Sequence, residues 1–222
     1  MTRSAIRNIA CHACGYEQKF GIYQSVNVTL DLALKQRILD GTLMQFICEA
    51  CGQEARFSYP MIYHDMTRRL WIWLDADGEA DQPGPPELGP LLANLGREGY
   101  MLRVVGSLFE LVEKIRLNDA GLDDRLMELF KAVLWDNLED DARAQARQLL
   151  YDSLDSQAAH GPQIAFALMG PEGAIAGVTV SRETAYQPLV VRLQELLPPA
   201  RAERGRLLRV DRDYARRLFE RQ

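Results

Sequence analysis

Four cysteines constrain this chain more than any other feature. Cys11-His12-Ala13-Cys14-Gly15 and Cys48-Glu49-Ala50-Cys51-Gly52 repeat one C-x-x-C-G pattern, and no cysteine is left over. Two thiolates three positions apart can face one ion from a tight turn, and the glycine that follows permits a positive φ that brings backbone N–H groups towards the sulfurs. Two such turns complete a tetrahedral shell, so Cys11, Cys14, Cys48 and Cys51 are the candidate ligands of one zinc ion. Iron in a four-thiolate shell uses similar turns, and spacing does not separate the two metals. Disulfides fit poorly with a reducing compartment. A thioredoxin-like redox pair needs its first cysteine at a helix N-terminus, whereas the flanking stretches 20–30 and 54–59 read as strands. Four protein ligands leave no open coordination position, so the expected role of the metal is to hold the fold and not to activate water.

The 33 residues between Cys14 and Cys48 exceed the commoner zinc spacing of about 15 to 20 residues, so an element is inserted between the turns. Phe20, Ile22, Gln24, Val26, Val28 and Leu30 alternate with period two and predict a strand with one buried face. Asp31 is placed to cap a short helix through Leu39, with Gly41 as its stop. Met44 to Ile47 leads into the second turn as a strand, Ala55 to Tyr59 leaves it, and Leu70 to Leu74 is expected to be the last strand. Two ribbons meeting at a metal with a helix in the crossover predict a zinc-ribbon-like α+β domain over residues 1–74.

The paired turns, Ile38-Leu39-Asp40-Gly41, the run Pro60-Met61-Ile62-Tyr63-His64-Asp65, and Leu111-Val112-Glu113-Lys114-Ile115 with Gly121-Leu122-Asp123-Asp124-Arg125 together resemble the CpXC family of bacterial and archaeal proteins. The likeness runs over about residues 8 to 138. It implies a zinc site in a ribbon-like fold and carries no activity with it. The proline that names the family's Cys-Pro-x-Cys turns is His12 in the first turn and Glu49 in the second, which keeps the thiols and removes a fixed φ.

Beyond the ribbon, residues 75–90 hold five acids, four prolines and no base, the composition of a solvated linker. A mainly helical segment is expected over 91–160: a strand at Tyr100 to Val105, a capping box Ser107-x-x-Glu110 heading a helix, and a second helix from Asp123 or Asp124 after a turn at Gly121. Ten acids against four bases between Glu110 and Asp141 read as a solvated outer face, or else as a docking face for a basic partner. Residues 161–222 are expected to hold a β-hairpin turning at Gly170 to Gly173, a helix capped by Ser181 and interrupted near Pro188, a strand at Leu207 to Val210, and a last helix capped by Asp211. The expected fold class is thus α+β throughout.

No apolar run is long enough to span a membrane, and a net charge of -5 with pI near 5.3 argues against a nucleic-acid-coated protein, so a cytoplasmic setting is expected. The arginines at the C-terminus are the local exception: eight against four acids from residue 201 onward. Arg201, Arg204, Arg206, Arg209, Arg216 and Arg217 are candidate anion or nucleic-acid contacts, or partners for the acidic helices. Signatures for phosphate loops, zinc hydrolases and serine nucleophiles are absent from the sequence. His64, between Tyr63 and Asp65, is the best candidate for proton chemistry, because a carboxylate can orient an imidazole; Tyr63, His64 and Asp65 read first as a structural hydrogen-bond network closing the ribbon, with a partner or ligand site and catalysis as the alternatives. Trp71 and Trp73, two apart on one strand, share a face and serve either the core or a partner. The reading is a zinc-stabilised, non-enzymatic interaction protein, an adaptor or scaffold with a protein partner. Its rivals are a zinc-ribbon nucleic-acid binder using the arginines and an enzyme with a site around Tyr63, His64 and Asp65.

Overall fold

The alternation of Phe20 to Val28 seeds a sheet that gathers strands from distant parts of the chain. The computed structural model describes residues 1–78, 88–171 and 173–221. Its fold class is α+β, as expected. By packing it divides into one unit of Met1–Val112 with Arg204–Leu208 and a second of Glu113–Glu203 with Arg209–Gln222.

In the first unit, β1 (Arg3–Ala10) and β2 (Glu17–Asn27) form an antiparallel ladder from Ser4 opposite Tyr23 to Ala10 opposite Glu17. β1 escaped the sequence reading because most of it is exposed, Ile6 included, so backbone pairing rather than burial holds it. Asp31 precedes α1 (Leu32–Leu39), and Gly41 turns the chain at φ 78°. β3 (Gln45–Ile47) and β4 (Glu54–Arg56) pair as a small separate ribbon. β5 (Met61–Asp65) runs parallel to the end of β2 and antiparallel to β6 (Leu70–Leu74).

The sheet does not stop at β6, where the sequence reading ended it. After α2 (Gly89–Arg97), β7 (Met101–Val105) pairs with β6 in parallel, giving the order β1-β2-β5-β6-β7. The expected segments 1–74, 75–90, 91–160 and 161–222 therefore divide the chain differently from its packing. Asp75 is buried and its N–H donates to Val105 O at 2.8 Å, so the start of the expected linker closes the sheet. Residues 79–87, the middle of that linker, lie outside the described residues. At the far edge Leu208 bridges in parallel to Arg103, all that forms of the strand expected at Leu207 to Val210. Gly96 explains how this returning segment comes so close: a Cβ there would lie 2.3 Å from the Cα of Gly205.

The pleat divides the side chains between two faces. Val26, Met61, Tyr63, Leu70, Ile72 and Leu74 are buried on one, and Lys35 of α1 reaches Asp65 on that face at 3.6 Å. On the other, Trp71, Leu102 and Val104 form a core with Leu92 and Leu95 of α2 and with Leu207, and Ile62, Trp73, Leu88 and Tyr100 pack at its margin. Trp71 is thus a core residue of this unit, and Trp73 is half-buried at the margin of the same cluster.

α3 (Leu108–Asp119) starts as the capping box foretold: the Glu110 N–H donates to Ser107 Oγ, although the Glu110 carboxylate reaches back to the Gly106 N–H. In the second unit Asp123 caps α4 (Asp124–Asp136), and α5 (Asp140–Gln145) leads into β8 (Gln148–Asp155), neither of which was anticipated. β8 joins the expected hairpin, β9 (Gln163–Met169) and β10 (Ala174–Ser181), in the order β10-β9-β8. The helix expected after Ser181 is interrupted as Pro188 requires: a π-turn over Arg182–Tyr186, α6 (Gln187–Leu193), then a short 3-10 turn. α7 (Ala200–Glu203) and α8 (Arg212–Phe219), the latter capped by Asp211, complete the unit. Phe130, Phe166, Tyr151 and Tyr186 form its aromatic centre.

The acidic stretch from Glu110 to Asp141 is not simply a solvated face. Glu113, Asp124 and Glu128 are buried with Lys114 and Lys131. Lys131 Nζ lies 2.8 Å from both Glu113 Oε1 and Glu128 Oε2, while Lys114 Nζ sits 3.4 Å from Asp124 Oδ2 and donates to Val210 O. Glu113 also accepts the Tyr151 N–H at 2.7 Å, tying α3 to β8. Burial pushes the Glu128 carboxyl above the usual carboxylate range, and Lys131 opposes that rise. The sequence showed the charges; only packing showed that two lysines gather three of the acids inside.

Two expectations follow. Trp71→Ala should lower unfolding stability by about 3 to 5 kcal/mol, the usual cost of emptying a large aromatic site, measured by denaturant titration. Lys131→Met should cost about 3 to 5 kcal/mol near pH 7 by leaving buried carboxylates without their cation. Glu128 would then hold its proton to still higher pH in the fold than in the unfolded chain. Above the ordinary carboxylate range the native state binds more protons, so the variant should regain stability as pH falls from about 7 towards about 5.

Candidate metal centre

The two cysteine turns are built alike. In the first, between β1 and β2, the Cys11 N–H donates to Tyr16 O at 2.9 Å and the Gly15 N–H to Cys11 O at 2.8 Å. In the second, between β3 and β4, the Cys48 N–H donates to Gln53 O and the Gly52 N–H to Cys48 O, both at 2.9 Å. Gly15 and Gly52 take φ of 74° and 71° with nothing within 4 Å of an added Cβ, so the left-handed backbone, and not space, calls for glycine.

The turns meet sulfur to sulfur. Cys11 Sγ lies 3.8 Å from Cys51 Sγ, Cys14 Sγ lies 3.6 Å from Cys48 Sγ, and all four sulfurs fall within 4.8 Å of one another. A tetrahedron of thiolates at about 2.3 Å from an ion has sulfur–sulfur edges of about 3.8 Å, so the donor set fits a four-thiolate metal ion. All four are free thiols, the first of each turn buried and the second exposed.

Their acidities differ for local reasons. Backbone N–H groups of Cys14 and Ala13 pull the Cys11 thiol down. The N–H groups of Cys51 and Ala50 bring Cys48 to about 7 against the effect of burial. For Cys14 the Tyr16 N–H pulls down, but Cys51, burial and the other two sulfurs together drive it up to about 12. The surroundings therefore favour ionisation at Cys11 and Cys48 and oppose it at Cys14, where a bound cation would supply the offset.

Behind the sulfurs, Cys11, Phe46 and Cys48 form a small buried cluster with Ile9, Phe20, Ala55 and Phe57 packed on it. The rings of Phe20, Phe46 and Phe57 meet edge to face at 5.3 to 5.9 Å. Gln18 reaches across from β2: its Nε2 donates to Ile47 O at 3.0 Å and its Oε1 accepts the Glu49 N–H at 2.8 Å, bracketing Cys48. The sequence reading missed Gln18. Its signal was the period-two register, which places it on the same face of β2 as Phe20.

The other candidate residues are not brought together in this way. Tyr63 and Asp65 point to one face of β5 and His64 to the other. Asp65 accepts the Arg68 N–H at 2.9 Å, meets the Thr29 hydroxyl at 3.5 Å and pairs with Lys35. His64 Nε2 lies 3.1 Å from Tyr100 Oη, and burial lowers its imidazole below the usual value. Trp71 belongs to the sheet core, and Trp73 packs half-buried against it. His12 and His160 are exposed loop residues.

The arginines divide between the units by position in the chain: Arg204 and Arg206 fall in the first, Arg201, Arg209, Arg216 and Arg217 in the second. Arg204, Arg206, Arg216 and Arg217 are exposed, and Arg209 is half-buried. Arg216 pairs with Asp213 and Glu220 on its own helix. The pairing expected between tail arginines and acidic helices is found reversed in one place, where Glu203 accepts Arg125 Nη1 at 2.7 Å and the Tyr214 hydroxyl at 3.0 Å. Arg212 stacks over Trp135, 4.5 Å from the ring centre. Among the described residues, no helix is long and apolar enough to cross a membrane.

The CpXC protein family matches residues 9–131, more than half of the chain, including both cysteine turns. No curated protein and no solved structure matches. Because both ends of the Gln18 amide are taken up by the backbone on either side of Cys48, Gln18→Ala should weaken metal retention by about 10- to 100-fold in chelator competition, with the four thiols still countable after unfolding.

Proposed function

The chain belongs to the CpXC family, and from that premise we propose that Cys11, Cys14, Cys48 and Cys51 hold one structural zinc ion in a non-enzymatic interaction protein, an adaptor or scaffold. The observation that carries the reading is the meeting of the two turns, with cross-turn sulfur distances of 3.6 and 3.8 Å and two of the sulfurs buried against a phenylalanine cluster. Four thiolates close the shell of a metal with no geometric preference of its own, so the ion supports folding and leaves no position for a substrate or water. The ribbon's own core is small, and a bound metal adds its binding energy to folding.

The interaction role draws on what the turns leave outside. Cys14, Cys51, His12 and Glu49 are exposed, and so are the large apolar side chains Tyr16 at 45% and Ile47 at 51% beside them. A rigid turn with apolar residues at its flank suits a protein partner. Proton chemistry has less to stand on, since His64 and Asp65 face opposite sides of β5.

Elemental analysis of purified protein is expected to give one zinc per chain; two metals, or iron, would overturn the assignment. Cys48→Ser should abolish zinc retention and open residues 10–20 and 45–56 to protease, while the second unit keeps its thermal transition. A ribbon equally resistant with and without that cysteine would show that the metal has no structural role.

A further inference from the structure

We propose that β10 is a self-pairing edge, through which two copies of this chain join antiparallel and extend each three-stranded sheet into a continuous six-stranded one. The site is independent of the cysteine turns and lies wholly in the second unit.

An exposed strand edge offers a row of backbone donors and acceptors, and chains that stay apart guard such edges with charge, proline, a bulge or a covering segment. The other edges of the two larger sheets carry such guards. β1 has Arg3 and Arg7. β7 is covered by Leu208. On β8 the Tyr151 N–H is taken by the Glu113 carboxylate at 2.7 Å. β10, by contrast, reads Ala-Ile-Ala-Gly-Val-Thr-Val-Ser, with neither charge nor proline. Ala176, Gly177 and Thr179 are exposed, and Val178 and Val180 only half-buried. Its one irregularity falls between Ala174 and Ala176 at the hairpin end, so Ala176 to Ser181 continues as a regular ladder against β9.

The lack of charge points to a second copy as the occupant. A strand that pairs with itself about a two-fold axis sets its own side chains opposite one another, so charge along its length would meet like charge. β10 meets that condition and β1 does not. Arg182 and Glu183 follow β10 directly. Antiparallel pairing sends the two copies of these charges to opposite ends of the junction, whereas parallel pairing would set like beside like. A charged partner strand would find no counter-charge along β10. Six regular positions bury less than the roughly 1,200 Å² of a standard interface, so the association should be weak and concentration-dependent.

Sedimentation velocity of the full chain from about 1 µM to about 500 µM, the range where an interface below standard size reveals itself, should show the mass moving from one chain towards two. Amide exchange of Ala176 to Val180 should slow in step. Gly177→Lys and Thr179→Lys each place like charges near the axis. Both sites are exposed, and a Cβ at Gly177 would meet only Phe166 O, at an ordinary 3.8 Å. Either variant should weaken association at least tenfold and keep the wild-type thermal transition; if Gly177→Lys fails to fold, Thr179→Lys decides alone. A wild-type chain that stays monomeric at the top concentration overturns the proposal, as it would if the edge served a different protein. Association undiminished in Thr179→Lys, or slowed exchange elsewhere than β10, overturns it as well.

Discussion

The first unit turns on the approach of two backbone-locked cysteine turns, each holding its sulfurs by the same pair of hydrogen bonds and the same positive-φ glycine. Their meeting fixes where β1, β2, β3 and β4 end, because each turn is the joint between two of those strands. It also makes the small phenylalanine cluster possible, since Phe20 and Phe46 come from different ribbons and pack only when the turns are together. Gln18 serves the same joint by hydrogen bonding both neighbours of Cys48 from the opposite strand. The acidity of the sulfurs follows from this geometry: N–H groups aimed at Cys11 and Cys48 favour their ionisation, and crowding opposes it at Cys14.

The sheet beyond the turns is closed by pieces that are remote in sequence. β7 follows the proline-rich stretch yet pairs with β6, and Leu208, near the end of the chain, pairs with Arg103. Parallel pairing needs a crossover, and α2 supplies it while covering Trp71 and Leu102. Gly96 lets the returning backbone at Gly205 approach α2 more closely than any side chain would allow. A stretch with the composition of a linker thus lies inside the connectivity of one sheet.

The second unit rests on a different balance. Its buried lysines and carboxylates are costly to desolvate, and their stability relies on each finding close partners. Lys131 meets two carboxylates, Glu113 meets both a lysine and the Tyr151 backbone, and Lys114 meets Asp124 and the Val210 carbonyl. Such contacts are directional, so they fix how α3, α4, β8 and the segment before α8 fit together more tightly than apolar packing alone.

The sequence by itself determined what depends on near neighbours. The cysteine turns, the caps at Ser107, Ser181 and Asp211, a cap at one of Asp123 and Asp124, the hairpin before Ser181 and the break at Pro188 were all legible, as was the strand from Phe20, which ends at Asn27 and leaves Leu30 exposed, since spacing, capping and turn chemistry act over a few residues. The family likeness was carried by the same local motifs. Tertiary structure decided the rest. It showed that Tyr63 and Asp65 turn away from His64, that the tryptophans face α2, that three acids of a charged stretch lie inside, and that Leu208 closes a sheet begun two hundred residues earlier. Composition reports how much charge a segment carries, but whether that charge meets water or a buried lysine depends on partners brought together from distant positions, which no local pattern encodes.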